Sequence, residues 1–216
     1  MPTSGLDDKI APIPFWRRSL EEKTIRDYWV DGHVAFSAEE DEQEYHSDVW
    51  FHIIELRTNG SRWVIEQIHN WLFYVLLEGN PDVIVEDDYD GYSFLDPVVP
   101  RLEEALKHPV ALLKFSEVEP FNLGELQGKY PGKAILFNPV LTFGEEPHIL
   151  LDVAKHSGAE PLGLVALVER SASGIYGWEE LHVAAMMRRE TNLWKPEECP
   201  LCQAEEPFLA IGLSRG

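Results

Sequence analysis

Positive charge is scarce in this chain. Lys and Arg number 18 against 38 Asp and Glu, a net of −20, and a field of that sign repels nucleic acid and anionic membrane surfaces. It also discourages free phosphorylated ligands unless a cation or a local basic pocket intervenes. No nucleic-acid partner and no membrane partner are expected, and the same charge serves solubility. Cysteine is scarcer still: Cys199 and Cys202 stand close together in "CPLC", so there is no disulfide framework to read. Long apolar runs are missing as well. The longest, Trp71 to Leu77, falls far short of the ~20 residues of a spanning helix, and no cleavable apolar segment opens the sequence. A cytoplasmic location is the resulting expectation.

What is present suits a packed domain. The 216 residues, 44% of them hydrophobic and 26% charged, allow one full core with an elaborated end or a small subdomain. Pro2, Pro12 and Pro14 mark an N-terminal arm, followed by a short helix from Leu20 to Trp29 and an extended piece around "HVAF". "EEDEQE", residues 39–44, reads as a solvated acidic loop. Val64, Ile65, Ile68, Trp71, Leu72, Val75 and Leu76 then recur at helical spacing, with Ser61 or Asn59 to cap the start and Gly79 to close the end. Beyond it, strands at 82–85, 110–115, 134–137 and 162–169 alternate with a proline-opened helix in "PVVPRLEEALKH" and a helix over 147–157. Short apolar strands with helical crossovers predict an α/β fold with a parallel sheet covered on both faces. Ligands of such sheets bind at the carboxyl ends of the strands, here after Val85, Phe115 and Phe137. The broken stretch between Phe115 and Lys133 has the length of a lid.

Four local patterns carry possible chemistry. "ILFNPVLTFGEEPHILLDVAKHSG" runs from a strand through a loop with Thr142 and Gly144 into a helix, the outline of a phosphate cradle. Yet Asn138 and Pro139 stand where its polar chemistry should begin, and Glu145 and Glu146 occupy the helix start that should attract an anion. In "EDDYDG", Glu86, Asp88 and Asp90 alternate and Gly91 follows, as in the first half of an EF-hand, but Pro97 holds the position of the bidentate Glu. A complete EF-hand is excluded. A divalent cation, Mg or Ca, on this acidic turn stays open beside the expectation that no cofactor is required. "CPLC" has the spacing of half a zinc site; closing it takes His182, a dimer partner or other recruits, and a packed turn with two reduced thiols is the simpler reading. His46, Ser47 and Asp48 in "YHSDVW" suit a turn with local hydrogen bonds better than a hydrolytic triad, whose members come from distant segments. The seven tryptophans are expected to pack, with stacking on a ring ligand as the alternative.

The order of these segments resembles the type I phosphoribosyltransferases, and among them the orotate phosphoribosyltransferases, over residues 31–216. "GHVAF" followed by "HSDVWFH" is similar to that family's N-terminal hood. "PDVIVEDDYDGYSF" is similar to its strand and pyrophosphate loop, and "YPGKAILFNPVLTFGEEPHILLDVAKHSGAEPLGLVALVERS" to its PRPP-binding strand, loop, helix and next strand. "WKPEECPLCQAEEPFLAIGLSRG" resembles a tail that many members carry. The resemblance implies a hood at 31–60, a core at 61–170 and a tail at 171–216, preceded by the arm and helix of residues 1–30. It also implies a homodimer with a lid working across the interface.

The resemblance further implies where chemistry should sit. Two acids that hold the ribose hydroxyls are replaced by Asn138 and Pro139, and of the phosphate cradle Thr142 and Gly144 remain. The diphosphate turn, expected to be small and glycine-rich, carries Glu86, Asp87, Asp88 and Asp90, with Gly91 after them. Like charges at about 6 Å repel by roughly 1–3 kcal/mol per pair. The lid lysine falls near Ser116, leaving Lys114 and Lys129 as the candidate catalytic residues. The expectation is a divergent phosphoribosyltransferase-fold protein without standard PRPP chemistry, binding a small-molecule ligand or a protein partner. A divergent, metal-assisted enzyme is the alternative.

Overall fold

The central strands are apolar on both faces because both faces are covered. A computed structural model describes residues 25–37, 44–88, 91–115, 123–142, 145–170 and 181–209. The expected N-terminal arm, the acidic run up to Gln43, Asp90 and Gly144 lie outside the described residues, as do residues 116–122 of the expected lid.

A 3-10 turn, Arg26–Tyr28, leads directly into β1 (Trp29–Ser37), which pairs antiparallel with β2 (Glu44–Phe51). "YHSDVW" is therefore strand, where a turn was expected. Its polar residues do not mark a turn because His46 and Ser47, both buried, find partners across the hood and in the core. Two helices follow, α1 (Ile53–Asn59) and α2 (Arg62–Gly79). The Ser61 hydroxyl accepts the Val64 N–H at 3.3 Å and caps α2, as expected. Its other end differs: Asn80, at φ 46°, turns the chain left-handed while its N–H bonds the Leu76 carbonyl. Gly79 is the last helical residue, and a Cβ there would run into the Ile135 side chain.

Then come β3 (Val83–Glu86), α3 (Val99–Leu106), β4 (Ala111–Lys114), α4 (Leu123–Leu126), β5 (Gly132–Phe137), β6 (Val140–Leu141), α5 (Glu145–Ser157), β7 (Ala159–Glu169) and β8 (Val183–Arg188). The order across the main sheet is β4-β3-β5-β7-β6, with β8 also beside β7, and every pairing is parallel. β5 pairs with β7 as far as Val165; after the jog at Asn138 and Pro139, β6 resumes against Val168 and Glu169. Alternate residues point to opposite faces. Ile84, Ile135, Phe137 and Val165 pack under α2 and α3 with Ile68, Trp71, Leu72 and Leu102. Val83, Val85, Leu136 and Leu164 pack on the other face with Leu150, Val153 and Ala154 of α5. The tail adds β9 (Leu193–Trp194) to β2 and ends its described part with the short α6 (Pro200–Gln203). No described helix is long and apolar enough to cross a membrane.

Candidate functional site

At the carboxyl edge of the sheet the chain bonds mostly to itself. Glu86, the last residue of β3, is fully buried. One carboxylate oxygen accepts the N–H groups of Phe94 at 2.8 Å and Leu95 at 3.2 Å, and the other is hydrogen-bonded to the Ser93 hydroxyl. That hydroxyl in turn accepts the N–H groups of Leu95 and Asp96 at 3.0 and 2.8 Å. Backbone donors that open the turn toward α3, the kind of group that holds an anion, are thus occupied by a carboxylate of the same chain. Burial pushes the Glu86 carboxyl up to about 8, Asp88 adds to the rise, and the bonds from Ser93, Leu95 and Phe94 oppose it. Asp88 is itself 3% exposed, and Gly91 closes the turn by bonding its N–H to the Asp88 carbonyl at 3.0 Å.

At the end of the adjacent β5, Asn138 is also committed. Its amide nitrogen donates to Asp87 Oδ2 at 3.1 Å and its amide oxygen accepts the Val140 N–H at 2.9 Å. Its backbone N–H bonds the Val165 carbonyl, while the Pro139 carbonyl accepts from Leu167 and Val168. The pair makes the jog between β5 and β6, which accounts for a buried Asn at the spot. Thr142, half-buried, follows β6 at the same edge. Lys114, at the end of β4, holds Asp96 with its ammonium 2.8 Å from Oδ1.

Lys129 is not part of this edge. It is exposed in the turn before β5, where the Gly128 N–H bonds His156 and the Tyr130 N–H bonds Ser157 at the end of α5. That is the amino end of the parallel sheet, opposite Asn138 and Lys114. Of the expected cation turn, Glu86 has one oxygen on the Phe94 and Leu95 N–H groups and the other on the Ser93 hydroxyl, and Asp90 lies outside the described residues.

The structure gathers a second set of side chains that sequence reasoning did not join. His33 of β1, His46 of β2, and Cys199 and Cys202 of the "CPLC" turn place one ligand atom each within 4.8 Å of all the others. His33 Nε2 lies 3.3 Å from His46 Nδ1, 3.5 Å from Cys199 Sγ and 3.6 Å from Cys202 Sγ; Cys202 Sγ lies 3.1 Å from His46 Nδ1. His182, one of the recruits weighed for a closed site, precedes β8, with its carbonyl bonded by the Leu164 N–H. The usable signal was a histidine in each of two adjacent hood strands together with a CxxC.

This cluster is tightly built. The Leu209 N–H bonds the His33 carbonyl at 2.7 Å, and the Phe208 ring lies 4.0 Å from that of His33. Gly32, at φ 148°, lies so close to Leu209 that a Cβ would collide with it. Burial opposes a charged His46 ring, but Glu44 and Cys199 outweigh it and hold the ring above its usual range. Burial also raises the Cys199 thiol, which hydrogen bonds from the Cys202 N–H, His46 and the Leu201 N–H more than offset, leaving it lowered. Burial and the neighbouring Cys199 push Cys202 the other way.

A parallel sheet with helices on both faces and an antiparallel hood give this chain the type I phosphoribosyltransferase fold. The orotate phosphoribosyltransferase of Aeropyrum pernix matches it with a TM-score of 0.53 at 16% identity, over 78% of this chain and 93% of that one. The UMP synthase of Leishmania donovani matches with a TM-score of 0.52 at 14% identity, over 78% of this chain but 36% of that longer one. In sequence, the orotate phosphoribosyltransferase of Heliobacterium modesticaldum is 32% identical over 83 residues, which span 38% of this chain and 42% of that protein. No family model matches the chain.

Proposed function

We propose that this protein uses the phosphoribosyltransferase fold for binding, with a small-molecule ligand or a protein partner in place of standard PRPP chemistry. One observation carries the reading. The buried Glu86 carboxylate occupies the Phe94 and Leu95 N–H groups at the turn where a diphosphate would seek donors. Asp87 and Asp88 add acid beside it, and Asn138, at a position where the related family has an acid, bonds to Asp87. The Lys114 ammonium is engaged with Asp96, which argues against its acting as a lid lysine. A homodimer goes with this proposal, through the outer face of α2 where Trp63 and Tyr74 are 55% and 47% exposed. Light scattering that returns the monomer mass would remove that part.

The test is calorimetric titration of PRPP into the full chain, with and without magnesium. No heat of binding up to millimolar concentration is expected. Micromolar, magnesium-dependent binding would replace this reading with that of a divergent metal-assisted transferase. Returning an acid at the jog should not rescue binding: Asn138→Asp sets a second carboxylate about 3 Å from Asp87 and is expected to cost about 1–2 kcal/mol in urea unfolding near neutral pH. A stable variant that gains PRPP affinity would count against the proposal.

A further inference from the structure

We propose that His33 Nε2, His46 Nδ1, Cys199 Sγ and Cys202 Sγ form a closed, tetrahedral zinc site that fastens the C-terminal turn to the hood. The spacing fits the ion. Bonds of about 2.3 Å to sulfur and about 2.05 Å to nitrogen at tetrahedral angles separate two nitrogens by about 3.3 Å and a nitrogen from a sulfur by about 3.6 Å. The corresponding separations are 3.3 Å between the two nitrogens, and 3.5, 3.6 and 3.1 Å from nitrogen to sulfur.

Both rings are also set to ligate. His33 Nδ1 lies 2.9 Å from the Glu206 carbonyl, which can only accept, so the proton sits on Nδ1 and the Nε2 lone pair faces the cluster. His46 Nε2 lies 2.8 Å from the Glu44 carboxylate, so its Nδ1 lone pair faces the same point. An outer acceptor on the far nitrogen of each histidine is the usual support of a zinc ligand.

Two thiolates and two neutral imidazoles neutralise a dication. The mixed sulfur and nitrogen set in a tetrahedral arrangement selects zinc over magnesium or calcium, which take oxygen ligands. With four protein ligands no position stays open for substrate, so the ion is structural. On binding, each thiol gives its proton to solvent as its sulfur takes the metal. This inference is independent of what the carboxyl edge of the sheet binds.

The first test is metal analysis of the purified full chain, prepared without metal-affinity steps. About one zinc per chain is expected. Cobalt substituted for it should show the intense visible bands of a tetrahedral ion together with a thiolate charge-transfer band. Cys202→Ser and His46→Ala are expected to lose the metal. Asp48→Ala, which cuts the hood's hydrogen bonds to Asn192 without touching a ligand, is expected to keep it. Should the ligand variants fail to fold, thiol reactivity of the unaltered chain decides: both cysteines should resist a disulfide reagent until a chelator is added, and the melting temperature should fall with the metal. Less than about a tenth of an equivalent of zinc, a cobalt spectrum without tetrahedral character, or thiols that react at once with zinc in excess would overturn the proposal.

Discussion

Glu86→Gln is expected to flatten the dependence of stability on pH between about 4.5 and 8, and to leave the variant more stable than the unaltered chain at pH 8. The carboxyl has its ordinary value of 4.5 in the unfolded chain and is pushed up to about 8 in the fold. Between those values the folded state keeps a proton that the unfolded state has released. Stability therefore falls as pH rises through the window and levels off above it. At about 1.4 kcal/mol per pH unit, the loss across the window is on the order of 3–5 kcal/mol. With glutamine nothing ionises: its amide oxygen takes the N–H groups of Phe94 and Leu95, while its nitrogen faces the Ser93 oxygen, whose O–H, the donor to Glu86, has to turn away. Urea unfolding at pH 5 and pH 8 measures the difference. An unaltered slope in the variant would mean that Glu86 is not the titrating group. Glu86→Ala, which leaves the two N–H groups without their acceptor, should instead destabilise at every pH.

Arg170→Ala is expected to cost about 3 kcal/mol and to lower the melting temperature by roughly 6–12 °C. The side chain follows β7, is 2% exposed, and reaches from the parallel sheet into the hood. There its Nη2 donates to the Ser47 hydroxyl at 2.9 Å and the Val49 carbonyl at 3.0 Å. Truncation leaves these acceptors buried beside a cavity the size of a long side chain, with the Trp50 ring losing a cation 5.9 Å away. The effect should be local. Amide exchange in residues 44–51 is expected to speed up while that of Val83–Glu86 stays slow. Uniform loosening of both segments would show that Arg170 supports the whole fold rather than the hood. Arg170→Lys should fall between the unaltered chain and the alanine variant, since an ammonium on a shorter stem reaches less well to the place where Nη2 meets both acceptors.

The parallel sheet was legible because "DVIV", "AILF" and "LGLVALVE" are apolar at consecutive positions, the mark of strands covered on both sides. The strand in "YHSDVW" was not, because its buried positions are polar: His46 faces cysteines, and Ser47 an arginine, that come from more than 120 residues away. Periodicity reports burial against apolar neighbours and is silent where polar groups are satisfied inside. Glu86 was ambiguous for a related reason. Alternating acids suggest a cation, and only the folded turn shows that one Glu86 oxygen also accepts the Phe94 and Leu95 N–H groups. Asn138 and Lys114 do sit at the predicted strand edge, whereas Lys129 was too near a boundary for its end of the sheet to be read.

The hood is made early and fastened late. Its hydrogen bonds to the rest of the chain include those from Ser47 and Val49 to Arg170, from Asp48 to Asn192, from Asp31 to Arg189 and from His33 to Glu206 and Leu209, separations of 121 residues or more. A two-stranded hairpin is marginal by itself in water. As the chain leaves the ribosome, β1 and β2 must wait for most of it to be synthesised before these partners arrive. Contacts of such long range also make closure of the hood a slow step in refolding, separable from formation of the parallel core.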